Sequence, residues 1–393
     1  MTTATTAPAR EGHIDPAAAF VPVQTRSERP TSYDPADFGQ PTGREVNWKH
    51  TPVARLKALL ADEPTAEGAV AYGTDGVPEG VIVASMGHDA AVRGEHFRPE
   101  DLPSALAWKH AANALHVRIP ADAELDAPVR VDVTGTGGLA HAHVIVEALP
   151  HARATVLLYH SGTAQYAQNV EIIVRDGAAL NLVTVQRWDD DAVHVSAHQA
   201  RVDRDASLTH VVVSLGGGVV RVNPSVELAG PGADGKLYGL SFADGGQHLE
   251  SQVYLHHKGP HTVGDVLYKG ALQGAEAHSV WIGDVLIGPD ATGTDSYEAN
   301  RNLVLTEGAR ADSIPNLEIE TGDIVGAGHA SATGRFDDEQ LFYLQARGIP
   351  EDEARRLVVL GFLGEIAQKT GIPALEEELT AAIEEELASG ADA

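Results

Sequence analysis

The 393-residue sequence contains no cysteine, and its 28 lysines and arginines face 56 aspartates and glutamates. Without cysteine, disulfides are excluded, which suits a reducing cytoplasm. A formal charge of −28 repels polyanions, so neither a nucleic-acid groove nor an anionic membrane surface is expected as the main partner. Long apolar runs are missing as well. The opening MTTATTAPAREGHIDPAAAF carries no apolar stretch after its basic residue, and no later span approaches the length of a membrane helix. The expectation is a soluble, cytoplasmic protein. Common catalytic signatures are also lacking: there is no GxSxG elbow, P-loop or dinucleotide fingerprint. Gly216-Gly217-Gly218 has neither the strand-to-helix context nor the lysine.

What is present divides the chain into four parts. Residues 1–43 are rich in Thr, Ala, Pro and charge without periodicity, and predict a disordered tail. Residues 44–116 predict an N-terminal helical region. Val53, Leu56, Leu59 and Leu60 recur at helical spacing after Trp48, and Leu102, Leu106, Ala111 and Leu115 form a second apolar patch. From residue 117 to 334 the helical period vanishes. Short β-branched runs replace it, such as Val129-Arg130-Val131-Asp132-Val133, Val170-Glu171-Ile172-Ile173-Val174 and Val211-Val212-Val213, each bounded by Gly, Asp, Asn or Pro. Corners recur between them: Pro150-His151-Ala152, Asp176-Gly177-Ala178, Asp205-Ala206-Ser207 and Glu307-Gly308-Ala309. Recurring corners between short strands indicate stacked coils. The fold expected is mainly β, a right-handed parallel β-helix core flanked by N-terminal and C-terminal helical segments, the latter over residues 335–393. A sandwich or jelly roll would need longer strands and hairpin turns. End coils need covering, and the flanking helices are expected to cap them.

Histidine is abundant at 19 residues. His141 and His143 share one side of a strand, a spacing that can serve a metal, although a solvent-facing strand explains the pair as well. His256 and His257 diverge and cannot chelate from one strand. Asp189-Asp190-Asp191 suggests a carboxylate pair of the kind polysaccharide cleavage requires, or a solvated loop. The runs Glu376-Glu377-Glu378 and Glu384-Glu385-Glu386 read as solvated helix faces.

The most informative stretch is residues 313–362. Leu317 and Ile319 alternate with Glu318 and Glu320 as a half-buried strand does, and Ile324-Val325 follow a turn at Thr321-Gly322-Asp323. Next comes Gly326-Ala327-Gly328-His329-Ala330-Ser331-Ala332-Thr333-Gly334, tiny side chains around one imidazole, expected as a loop. Such residues let another backbone or a ligand approach closely; the plain alternative is a histidine packed at a sheet corner. Leu341, Phe342 and Leu344 then give a helix an apolar face, Gly348 ends it, and Pro350 opens a second helix carrying Ala354, Leu357, Val358 and Phe362.

Four pieces of this region, in order and spacing, resemble the C-terminal signature of the SufB/SufD family, the paired β-helix subunits of the SUF iron–sulfur cluster assembly machine. They are Asn302-Leu303-Val304-Leu305, Ser313-Ile314-Pro315-Asn316-Leu317-Glu318-Ile319, Gly328-His329-Ala330-Ser331-Ala332, and Leu341-Phe342-Tyr343-Leu344 through Arg347-Gly348-Ile349. The resemblance covers about the last quarter of the chain. It implies a non-catalytic scaffold subunit, with a cysteine of a SufB-like partner facing a SufD histidine where a transient cluster forms. His329 occupies the matching place as an interfacial iron ligand. Many relatives carry a cysteine two residues earlier, where this chain has Ala327. A chain without thiolates cannot by itself hold a conventionally ligated cluster, so the SufD role fits better than the SufB role, with no cofactor bound by the isolated chain. The resemblance further implies that a SufC-like ABC-type ATPase docks on the C-terminal helices, with Leu341, Phe342, Leu357, Phe362, Leu363 and Ile366 as candidate anchors. Two other readings stand beside it: a β-helix enzyme acting on polysaccharide, and a homodimeric structural protein.

Overall fold

At one corner of each coil a residue takes a left-handed backbone, and these residues stack into a column. Asp122, His151, Gly177, Asp205, Gly232, His261 and Gly293 all have φ between 53° and 72°. The amide of each donates to a carbonyl at the corner of the next coil, as His151 N–H does to Asp176 O and Gly177 N–H to Arg204 O. Side chains nest in the same column. A Cβ on Gly177 would lie 2.4 Å from His151 Nδ1, and one on Gly293 equally close to His261 Nδ1. Glycine is required at these two positions for the room it leaves, while Asp and His take the same left-handed backbone elsewhere in the column.

The structure, a computed structural model, describes residues 29–74, 76–335 and 338–389, apart from the side chains at 338–341, 352 and 389. The chain divides into a unit Met1–Pro30, of which Arg29 and Pro30 are described, and a unit Thr31–Ala393. The second unit is a parallel β-solenoid of about 8 turns. Its strands are β1 (Val70–Gly73), β2 (Ile82–Gly87), β3 (Asn113–Ile119), β4 (Val129–Ala148), β5 (Arg153–Val174), β6 (Ala179–Trp188), β7 (Val193–Val202) and β8 (Ser207–Ser214). They continue as β9 (Val219–Leu228), β10 (Asp234–Ala243), β11 (His248–His257), β12 (Val263–Leu272), β13 (His278–Ile287), β14 (Thr294–Val304), β15 (Arg310–Ile319) and β16 (Ile324–Arg335). The α-helices are α1 (Leu102–His110), α2 (Asp338–Gln345), α3 (Glu351–Lys369) and α4 (Pro373–Ser389). Long β5 spans both sheets, pairing with β6 through one half and with β7 through the other; odd strands then stack on one side and even strands on the other. Val129, Val131, Leu180, Leu182, Val220 and Val222 fill the space between the two stacks. Each coil thus buries its apolar face against its neighbours.

Both flanking regions depart from expectation. Of the expected disordered tail, residues 1–28 lie outside the described residues. Residues 31–43 are held in place: Tyr33 donates its hydroxyl to Phe97 O at 2.8 Å, and its ring lies 4.6 Å from that of Trp108. One aromatic anchor inside a Thr- and Pro-rich stretch is invisible to periodicity. The region 44–116, expected to be helical, contains only α1 as an α-helix. The remainder is 3₁₀ turns at Val46–Trp48 and Val53–Leu56, the strands β1 and β2, and the start of β3, which takes Leu115. Trp48, Leu56, Leu59, Leu60 and Leu106 are nevertheless buried together, on the outer face of the odd stack against Val193, Val195 and Val219.

The C-terminal helices do not lie over the last coil. Helices α3 and α4 fold back along the outer face of the even stack, where Val359, Leu363, Ile366, Leu379 and Ile383 pack on Val183, Val211, Leu240 and Phe242. The apolar outward row on β6, β8 and β10 provides a better seat than the polar end of the solenoid.

Candidate functional site

With the helices elsewhere, β15 and β16 form an end with exposed residues such as Ile319 and Val325. The Gly326–Gly334 run lies within strand β16, where a loop had been expected. Its register on β14 sets Ala327 over Ser296, His329 over Glu298, Ser331 over Asn300 and Thr333 over Asn302. Paired residues of parallel strands share a face. His329 therefore stands at the mouth of the solenoid interior, its side chain 45% exposed, above a Glu298 side chain that is 1% exposed.

The interior changes character here, from Val and Leu in earlier coils to Ser296, Glu298, Asn300 and Asn302. The asparagines are satisfied: Asn300 donates to Tyr268 O at 3.2 Å, and Asn302 donates to Ser313 Oγ at 2.9 Å. Glu298 is not, for neither carboxylate oxygen has a well-formed hydrogen bond. Its nearest cationic candidate is His329, with Nδ1 3.8 Å from Oε1, too long for a hydrogen bond. Burial, then the charge of Asp284, pushes the Glu298 carboxyl up to about 8, with the backbone amide of Asn316 acting against them. Gly283 makes the space, since a Cβ there would lie 2.4 Å from Glu298 Oε2. An imidazole at the rim and a carboxylate beneath it suit borderline-to-hard divalent cations such as ferrous iron. No thiolate exists in the chain, so the pair cannot enclose a cluster. Among the described residues, no group of three or more His, Asp or Glu side chains could hold a metal ion.

The sequence pattern singles out His329 and gives no prominence to Glu298. The strand 294–304 carries a visible signal, the polar alternation Ser296, Glu298, Asn300, Asn302, but only the fold shows that this side faces inward. The remaining sequence candidates are structural. His143 is buried, with Nε2 3.3 Å from Glu171 Oε2, and Glu171 also accepts the amides of Gly94, His96 and Phe97. That pair sits under the N-terminal segment rather than facing solvent. His257 points inward to Thr262 and Ser296. Asp190 and Asp191 accept from Gln247 and Thr163 at a corner.

The six helix residues separate by exposure. Leu363 and Ile366 belong to the core between α3 and the even stack and are unavailable to a partner. Phe362 is half-buried beneath Lys269, whose Nζ lies 4.8 Å from the ring centre. Phe342 is 71% exposed and Leu357 43%. Leu341 lies on α2, its side chain outside the described residues.

A model of the SUF system FeS cluster assembly SufBD core domain matches residues 131–362, the solenoid and the start of the helical region. The chain belongs to the SufBD family. It is 50% identical over 364 residues to an iron–sulfur cluster assembly SufBD family protein of Mycobacterium bovis, covering 91% of each chain. A Mycobacterium leprae SufBD family protein is 48% identical over 364 residues, 91% of this chain and 93% of its own. A second M. leprae SufBD family protein is 27% identical over 287 residues, 72% of this chain but 32% of that protein. No described helix of this SufBD protein is long and apolar enough to cross a membrane.

Proposed function

We propose that this chain is the SufD-like half of an iron–sulfur cluster assembly scaffold. It is non-catalytic and cytoplasmic, it pairs through the open end formed by β15 and β16 with a SufB-like subunit, and it presents His329 to iron of the nascent cluster at that seam. The observation that carries this reading is a half-exposed imidazole at the solenoid mouth of a chain without cysteine. A strand end with free edges favours pairing with another chain, and the sulfur ligands would come from the partner. The presence in M. leprae of two SufBD family proteins, one similar to this chain along its length and one far more divergent, supports a two-chain arrangement.

A SufC-like ATPase would dock on the helical region, through exposed Phe342 and Leu357. The cluster is cargo, held at the seam and released. The test is reconstitution with the divergent M. leprae SufBD family protein and a SufC-like ATPase, with the cluster followed by its visible absorption. His329→Ala should leave the complex intact and lower cluster yield; an undiminished yield overturns the assignment. If the isolated chain self-associates and ignores the second SufBD protein, the homodimeric structural reading takes its place.

A further inference from the structure

Glu298 is the side chain that the fold leaves most conspicuously unsatisfied at the solenoid mouth. A carboxyl group sealed from water without a well-formed hydrogen bond costs stability, and such groups in native proteins call for an explanation. Two features indicate that the arrangement is built. Gly283 is the residue that leaves space for Oε2, since any Cβ would intrude to 2.4 Å. The strand register places His329 directly above Glu298, with Nδ1 3.8 Å from Oε1. Neighbouring inward polar residues, Asn300 and Asn302, are engaged with Tyr268 O, Ser313 and each other, whereas Tyr268 Oη and Trp281 Nε1 share with Glu298 the lack of a partner.

We infer that Glu298 and His329 together form a two-donor half-site for a single ferrous ion, with the imidazole as rim ligand and the carboxylate as the ligand beneath it. Donors bound about 2.1 Å from a first-row divalent cation lie about 3–3.5 Å from one another, close to the separation already present. The cation supplies the partner that the buried carboxylate lacks, and the remaining coordination positions face outward, toward the seam. The inference rests on the reading of His329 as an iron ligand and extends it: this chain contributes oxygen as well as nitrogen, and it can take up iron before any sulfur is present.

The test uses the full chain, anaerobically, with ferrous iron alone, followed by calorimetric titration and by the iron-induced rise in melting temperature. The wild type should bind one equivalent saturably. His329→Ala and Glu298→Gln should each weaken binding by about tenfold or more and abolish the thermal shift. Glu298→Gln keeps the shape of the buried carboxyl group, so it should fold; Glu298→Asp, which withdraws the carboxyl by one methylene, provides a second variant. If His329→Ala weakens binding and both Glu298 variants match the wild type, the role of Glu298 is overturned and that of His329 stands. If His329→Ala binds as the wild type does, the underlying reading fails with it. Absence of saturable binding by the wild type overturns the half-site.

Discussion

Arg221 Nε lies 3.1 Å from Glu250 Oε1, and water reaches neither side chain. The same guanidinium stacks 4.1 Å from the Trp48 ring centre, donates to Asn47 O at 3.0 Å and lies 3.2 Å from Asp101 Oδ2. One buried ion pair thus fastens the N-terminal segment to the odd stack. Burial pushes the Glu250 carboxyl up, but Arg221, His248 and Thr51 outweigh it and hold it at about 2.

Removing one partner strands the other charge. Arg221→Ala is expected to cost about 3–5 kcal/mol, measured by denaturant unfolding, and to expose the segment around Trp48 to protease. Glu250 contributes stability that is complete above the ordinary carboxylate range and lost as pH falls toward 2. Replacing both residues together should cost less than the sum of the single changes; simple additivity would show that the pair is not coupled.

The interior histidines predict a second acid response, at higher pH. His198 Nδ1 lies 3.1 Å from His210 Nε2 inside the solenoid. Burial pushes His210 down to about 4, and does the same to His160 against the opposing hydrogen bonds to Val185 O and Gln168. Both bind protons more readily when unfolded. Their effect is absent above pH 6.5, and stability falls as pH drops from 6.5 toward 4, by about 1.4 kcal/mol per unit for each histidine. Unfolding midpoints from pH 7.5 to 5 should decline less steeply for His210→Gln than for the wild type. Identical slopes would remove His210 from the account.

Gly283 is a strand residue whose role is purely one of space. A Cβ there would meet Glu298 Oε2 at 2.4 Å and the Trp281 ring at 2.3 Å. Gly283→Ala should therefore lower stability by about 1–3 kcal/mol, as overpacking does, and displace the Glu298 carboxylate. A thermal melt and the ferrous-iron titration measure both; an unchanged melt and affinity would mean that the interior yields freely at this point.

Exposure on the helices separates docking from folding. Phe342→Ala and Leu357→Ala should weaken retention of the ATPase in a pull-down with little change in melting temperature. Leu363→Ala should destabilise by about 2–5 kcal/mol through a core cavity. Loss of ATPase retention in the Leu363 variant alone, at a temperature where it remains folded, would move the docking surface to the other side of α3.

The parallel solenoid was legible because its coils reuse one corner chemistry. Asp176-Gly177 and Asp205-Ala206 mark the left-handed column directly, and short β-branched runs mark the strands between. The helix near Leu102 and the buried Trp48 were legible by the same local means. Less legible was the order around Tyr33, which depends on two rings and a carbonyl far away in sequence.

The residues by themselves determined the coil repeat, the absence of any thiolate and the small-residue setting of His329. Those properties reside in composition and in spacing along a few neighbouring positions. Tertiary structure decided the rest. Strand alternation yields two faces without saying which is inward, and stacking register alone set Glu298 beneath His329. Helical periodicity marked an apolar stripe on α3, but only docking against β10 and β12 assigned Leu363 to the core and left Leu357 exposed.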